Sequence, residues 1–313
     1  MTRPNDAEIT ILGVDAAWTA GQPSGVALVK RTGGQWRSVT VAPSYCQFYG
    51  AAEGRGIDWE ASRIPGAQPC VRRLFDTSCA LAGTPPDVIT VDMPVATEPI
   101  TGRRCADRLV SREFGSRWCS ALSPSTSRPG HVGSDFTSQA QSLGFGLATA
   151  SCYGEAGRWL VEVYPHPALL SLLNRGRRVE YKAAKSRSYW PDEPLRERIN
   201  RLLAVYAAIH ESLVRVFGPV GFELPIGEHV PSLARLKRYE DALDALVCAW
   251  VGTLFVADEA VPLGNETAAV WCPRNVVHAA GHSNTGDSHI TRRARGSTEV
   301  ARNEEGDRRC QSR

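Results

Sequence analysis

The segment from Glu240 to Trp250, Glu-Asp-Ala-Leu-Asp-Ala-Leu-Val-Cys-Ala-Trp, is apolar enough for the middle of a buried helix, yet it carries Asp241 and Asp244 one turn apart. Ionised side chains are rarely buried unless they are paired, hydrogen-bonded or bound to a metal. A chain built this way must therefore fold so that partners reach those two carboxylates. Two more acids stand in comparable positions: Asp15 closes the run Ile9-Thr10-Ile11-Leu12-Gly13-Val14, and Asp92 closes Val88-Ile89-Thr90-Val91. Both runs are short, β-branched and almost wholly apolar, as expected of strands covered on both faces of a sheet.

Gly25 to Lys30 and Trp36 to Val41 read as two further strands, and the glycine-bearing link Arg31 to Gln35 marks a hairpin between them. The chain thus opens with three antiparallel strands. Residues 45–66 lack periodicity and read as a loop insertion, whereas Val71 to Ala82 reads as a short helix. Pro94 would stop the strand ladder just past Asp92. Residues 101–114 look helical, 119–140 form a long loop rich in Ser, Thr, Gly and Pro, and Arg158 to Tyr164 is a fifth strand. Ile199, Leu202, Tyr206, Ile209, Leu213 and Phe217 recur at three- and four-residue spacing, which predicts an amphipathic helix over Leu195 to Phe217. The acidic helix follows at roughly 235–257. The expected architecture is α/β: a mixed five-stranded sheet, three antiparallel strands and then parallel ones, with helices on both faces. Residues 1–273 read as one domain with insertions near 45–66 and 166–234, and 274–313 as a disordered basic tail.

With 42% hydrophobic and 22% charged residues the chain has the composition of an ordinary soluble globular protein. The formal charge of +3 says little about partners, since nucleic-acid binding depends on local basic patches. Two patches stand out. Arg103, Arg104, Arg108, Arg112 and Arg117 form one; the other, Arg175 to Arg201, contains Lys182 and Lys185 interleaved with Tyr181, Tyr189 and Trp190. Either patch reads as a grip on a phosphate backbone with aromatic rings for bases, or as a solvated face. Arg103, Arg104, Lys182 and Lys185 are the candidate substrate-binding residues. The nine cysteines are odd in number, contain no Cys-x-x-Cys and read as reduced thiols. The first residues lack the apolar core of a signal peptide, and no apolar run is long enough to span a bilayer, so the expected location is cytoplasmic.

Carboxylates at the tips of neighbouring strands point into the crevice where open α/β sheets place ligands. Residues three apart share a helix face, so Asp241 and Asp244 present together. Such a group repels itself unless a divalent cation neutralises it. Oxygen-only ligands select Mg²⁺ or Mn²⁺. Two such ions about 4 Å apart activate water and stabilise the leaving oxygen of a phosphodiester. The motifs of serine hydrolases, zinc proteases, P-loop proteins and dinucleotide-binding enzymes are missing, which removes the main support for those classes.

Several motifs together carry a resemblance. They are Gly13-Val14-Asp15, Val91-Asp92-Met93-Pro94, Thr101-Gly102-Arg103-Arg104-Cys105-Ala106-Asp107 with its following Ser-Pro loop, Glu162-Val163-Tyr164-Pro165-His166-Pro167, and Asp241-Ala242-Leu243-Asp244-Ala245-Leu246. Over residues 9–258 the chain resembles the RNase H-like superfamily, and within it a family of uncharacterised proteins described as predicted nucleases. The last motif is also similar to the acidic final helix of RuvC-type junction resolvases. The resemblance implies that Asp15, Asp92 and one or both of Asp241 and Asp244 ligate catalytic Mg²⁺ or Mn²⁺. It adds Glu162 as a further ligand from the narrower family's pattern. The implied activity is cleavage of DNA or RNA. The chain departs from the pattern in Ala16-Ala17-Trp18 after Asp15 and in the long insertion before the final helix.

Plainer roles exist for each residue. A strand-end Asp caps turns, Asp241 suits the first turn of a helix, Glu162 can pair with an Arg or Lys, and His166 between two prolines reads as a proton carrier or as a structural side chain. Two other functions stay open beside the nuclease. One is an actin-like ATP-dependent phosphotransferase, for which Thr19 to Gly25 offers one phosphate hairpin without a visible partner. The other is a module that binds nucleic acid without cutting it.

Overall fold

The computed structural model describes residues 7–152 and 157–277. Its sheet is mixed. Strands β1 (Ile9–Asp15), β2 (Gly25–Thr32) and β3 (Gln35–Ala42) form the antiparallel opening, with the β2–β3 turn at Gly33-Gly34. Strand β4 (Val88–Val91) pairs parallel with β1. A two-residue β5 (Gly146–Leu147) and β6 (Trp159–Val163) follow, and β6 pairs parallel with β4. The chain ends in a hairpin of β7 (Ala260–Gly264) and β8 (Ala269–Pro273), with β8 parallel to β6. The order is β3-β2-β1-β4-β6-β8-β7, with β5 beside β6, eight strands in place of the expected five.

The three additional strands lie where periodicity is weak. Strand β5 has two residues, too few to alternate. Strand β7 contains Pro262, which argues against a central strand but is tolerated at the sheet edge that β7 occupies. Two stretches expected to be loops contain helices. In the first, α1 (Tyr45–Ala52) starts where Ser44 Oγ accepts a hydrogen bond from Gln47 N–H at 3.3 Å, and it buries Tyr45, Phe48 and Tyr49. In the second, α4 (His131–Ser142) buries only Gly133, Phe136, Thr137 and Ala140, a stripe of correct spacing but little apolar bulk.

The remaining helices are α2 (Val71–Ala82), α3 (Cys105–Phe114), α5 (Pro165–Leu172), α6 (Ser186–Tyr189), α7 (Leu195–Phe217) and α8 (Leu233–Val256). Alternation along β1 separates two cores. Ile11 packs with residues of α5, α7 and α8 on one face, whereas Leu12 and Val14 pack with α1, α2 and α4 on the other. Helix α8 lies directly on the sheet because Gly13 and Gly25 have no side chain. A Cβ at Gly13 would collide with the Ala245 carbonyl oxygen, and one at Gly25 with the Asp241 carbonyl. This close approach carries the acidic middle of α8 up to the end of β1.

The described cysteines are all free thiols, and among the described residues no helix is long and apolar enough to cross a membrane. Order extends past Pro273: Arg274–Val276 form a single 3₁₀ turn, and Arg117 Nη1 donates to the Val276 carbonyl at 2.9 Å. The rest of the expected basic tail, from residue 278, lies outside the described residues.

Candidate active site

Asp15 is the last residue of β1, and Asp92 follows β4 on the adjacent parallel strand, its N–H donating to the Val14 carbonyl at 2.9 Å. Both carboxylates are partly exposed to a cavity of about 490 Å³ beyond the carboxyl ends of these strands. Helix α8 adds Lys237, Glu240 and Asp241 to its wall, and the segment before α6 adds Tyr181, Lys182 and Lys185. Asp244 lies just behind the wall, fully buried. The four acids singled out in the sequence thus meet in space, and the charge of Asp15 raises the proton affinity of Asp92, Asp241 and Asp244 alike.

What meets them there is lysine. Lys182 Nζ donates to Asp244 Oδ2 at 2.5 Å and lies 3.4 Å from Glu240 Oε1. Tyr181 OH donates to the other Asp244 oxygen at 2.7 Å. Lys237 pairs with Asp241 one turn along α8 and with Glu240 at 3.3 Å. Glu240 also accepts from Ala183 N–H at 2.7 Å. Burial pushes Asp244 up to about 6, Lys182 opposing and Asp15 and Glu240 adding. Lys182 is raised as well: burial favours loss of its proton, but Asp244, Tyr181 and Glu240 hold it well above the usual lysine range. Both shifts have one source, an excess of negative charge in a poorly solvated place. Glu240 is pulled below its ordinary value because Lys182 and Lys237 outweigh its burial.

Other sequence candidates are placed differently. Both Glu162 oxygens are held by Arg104, at 2.6 Å each, and Val95 N–H donates to Oε2 at 3.0 Å. Arg104 also reaches Asp107 at 2.7 Å and the Val95 carbonyl at 2.8 Å. Glu162 and Arg104 are therefore partners in a buried clamp that ties the strap after β4 to β6 and α3. Arg103 is exposed and outside the cavity wall, whereas Lys185 is exposed at its rim. His166 is 4% exposed, with Nε2 2.7 Å from Arg178 Nη2. Arginine only donates, so Nε2 accepts and the imidazole is neutral with its proton on Nδ1. Trp18 and Arg128, which the sequence did not mark, pair at the mouth with the guanidinium 5.7 Å from the indole centre.

Residues 13–268 match a family model described as a protein of unknown function, DUF429. The chain belongs to the DUF429 family. No curated protein and no solved structure matches it. The DUF429 match spans Asp15, Asp92, Glu162, Asp241 and Asp244, so the whole acid cluster lies inside the family's unit.

Whether this DUF429 site suits a metal turns on which oxygens are uncommitted. Among the described residues no group of three or more His, Cys, Asp or Glu is arranged to hold an ion. Asp244 is fully engaged by Lys182 and Tyr181, and Glu162 by Arg104. Asp241 uses one oxygen for Lys237 and leaves Oδ2 buried without a partner. Magnesium is commonly bound through one or two carboxylates, with water and substrate phosphate completing its shell. Asp15 and Asp92, partly exposed and all oxygen, fit that two-carboxylate mode.

Proposed function

We propose that this DUF429 protein is a metal-dependent phosphodiesterase acting on nucleic acid, with Asp15 and Asp92 as the principal ligands of Mg²⁺ or Mn²⁺. The observation that carries the reading is the placement of these two acids on adjacent parallel strands, open to one cation-rimmed cavity. The strand order β3-β2-β1-β4-β6, with an acidic helix laid across β1, supports an RNase H-like arrangement. Burial and the charge of Asp15 hold Asp92 well above the usual carboxylate range, a strain that a bound cation would relieve. When held by Asp15 and Asp92, such an ion would supply Lewis-acid stabilisation of the phosphoryl oxygen and would make water a better nucleophile.

The chain's own residues supply the rest. Lys185, Arg128 and Arg178 line the cavity and give countercharge to a phosphate. Trp18, backed by Arg128, offers a ring face on which a base stacks. Lys182 and Lys237 fix the α8 carboxylates, the first from the segment before α6 and the second from one turn earlier on α8 itself. Cleavage assays on DNA and RNA panels with Mg²⁺ or Mn²⁺ test the proposal. Asp15→Asn and Asp92→Asn should each lower turnover by about two orders of magnitude or more, as loss of a charge-stabilising group does. Turnover that survives both substitutions would sink it.

A second reading has its own observation. The lysines seated against Asp241 and Asp244 neutralise the helix acids without any metal, which suits a module that binds nucleic acid and does not cut it. Salt-sensitive binding with no turnover in either metal would favour that reading.

A further inference from the structure

A second cavity, about 620 Å³, lies beside the first and shares Gln22, Pro23, Ala184 and Lys237 with its wall. Its charge is of one sign. Arg63, Arg187, Arg198, Arg235, Lys237 and Arg238 line it, and no carboxylate does. Two of the six are committed elsewhere, Arg235 to Glu60 and Lys237 to Asp241 and Glu240. The other four pair with no carboxylate among the described residues.

Two arginines of this wall each keep an orphaned, buried donor. Arg238 is 5% exposed, and although its Nη1 reaches the Trp59 carbonyl at 2.6 Å, its Nε–H is buried without an acceptor. Arg198 likewise keeps a buried Nε–H without an acceptor, while its Nη1 lies 3.3 Å from Ser186 Oγ. Burial and the neighbouring Arg235 press the Arg238 guanidinium below its ordinary range. A buried cation with an unused donor is costly, and an anion is what offsets that cost. The start of α8 adds to the attraction. Ser232, Leu233 and Ala234, at the start of the 24-residue α8, line the same cavity, and the Ser232 side chain makes no capping bond, which leaves the positive end of the helix beside it.

We infer that this basic cavity is a phosphate subsite, and that it holds a phosphate flanking the one presented to Asp15 and Asp92. Assigning the ligand to a nucleic-acid strand rests on the phosphodiesterase reading; the anion site itself does not. The shared wall at Lys237, Gln22 and Pro23 makes the two cavities neighbours that one ligand spans. The substrate class is then an oligonucleotide with at least two phosphates.

The test is calorimetry on the full chain without metal, using pyrophosphate and a short single-stranded oligonucleotide as probes. Wild-type protein should bind both. Arg63→Gln with Arg187→Gln, both exposed at the rim, should weaken both by about tenfold or more through loss of two charge-assisted contacts. Arg198→Gln should do the same from inside the cavity. Asp15→Asn should bind pyrophosphate as wild type does, and Arg72→Gln, on α2, serves as the control for general loss of charge. Binding that is undiminished in both arginine variants, or that Asp15→Asn abolishes, overturns the subsite. Pyrophosphate binding that an oligonucleotide does not displace keeps the anion site and overturns its nucleic-acid ligand. Intact binding here, with no turnover in the Mg²⁺- and Mn²⁺-supplemented cleavage assays, refutes the phosphodiesterase and leaves the anion site standing.

Discussion

Lys182 Nζ lies 2.5 Å from Asp244 Oδ2, with the lysine side chain 22% exposed and the aspartate 1%. The pair links the residue the sequence marked as a phosphate contact to one it marked as a metal ligand. Taking away one partner leaves the other charged and buried, which costs about 3–5 kcal/mol. Lys182→Gln should therefore lower unfolding free energy by about that amount in chemical denaturation. The double variant Lys182→Gln/Asp244→Asn should recover much of it, because the orphaned charge is gone. Lys182→Gln should also increase the thermal stabilisation given by Mn²⁺, since the acid cluster then lacks its internal cation. Equal Mn²⁺ responses would show that the lysine does not compete with metal.

Glu162 provides the opposite test. Its oxygens are both taken by Arg104, and the side chains are 6% and 9% exposed. Glu162→Gln should cost roughly 3 kcal/mol in the same denaturation experiment, the loss expected for a broken buried pair. Its Mn²⁺ affinity in the folded protein should equal that of the wild type. A clear fall in affinity would restore Glu162 to the metal ligands.

Much of this site was legible in the sequence because strand-end position is a local property. The apolar runs before Asp15 and Asp92 announce both a buried strand and an acid at its tip, and the spacing of Asp241 and Asp244 announces one helix face. The partners were harder to see. Lys237 stands four residues before Asp241, so that pair was readable from helical spacing alone. Lys182 reaches Asp244 and Glu240 across about sixty residues of chain, and only the tertiary fold sets that pairing. The same holds for Arg104 and Glu162, which come together only when β6 pairs with β4. Helix α4 and the β7–β8 hairpin escaped because the first is nearly polar and the second holds a proline.

The contact of α8 with β1 depends on an absent side chain. A methyl group at Gly13 would meet the Ala245 carbonyl, and the Ala249 backbone lies close behind it. Gly13→Ala should thus cost about 1–3 kcal/mol, the usual range for overpacking a close-fitted interior. It should also reduce turnover, because α8 carries Asp241 and Lys237 away from Asp15 when it shifts. Gly21→Ala, where nothing lies within 4 Å, should change stability by less than about 0.5 kcal/mol. Equal stability of the two variants would mean that the helix relaxes freely.

His166 should leave a signature in the pH dependence of stability. Burial, Lys182 and Arg178 hold its pKa well below the ordinary 6.5, and Nδ1 is buried without a partner. In the unfolded chain the same imidazole titrates near about 6.5. Below that pH the unfolded state binds a proton that the folded state refuses, so stability falls on acidification until the folded value is reached. The raised pKa of Asp244 acts with the opposite sign: the folded state keeps that proton up to about 6, and stability falls as pH rises through that range. His166→Gln removes only the first effect. Its stability deficit against wild type should narrow as pH drops from about 7.5 to about 5.5, because the wild type alone loses the histidine contribution. A deficit that widened on acidification would mean that the folded protein welcomes the imidazolium, which contradicts a ring pressed against Arg178 and Lys182.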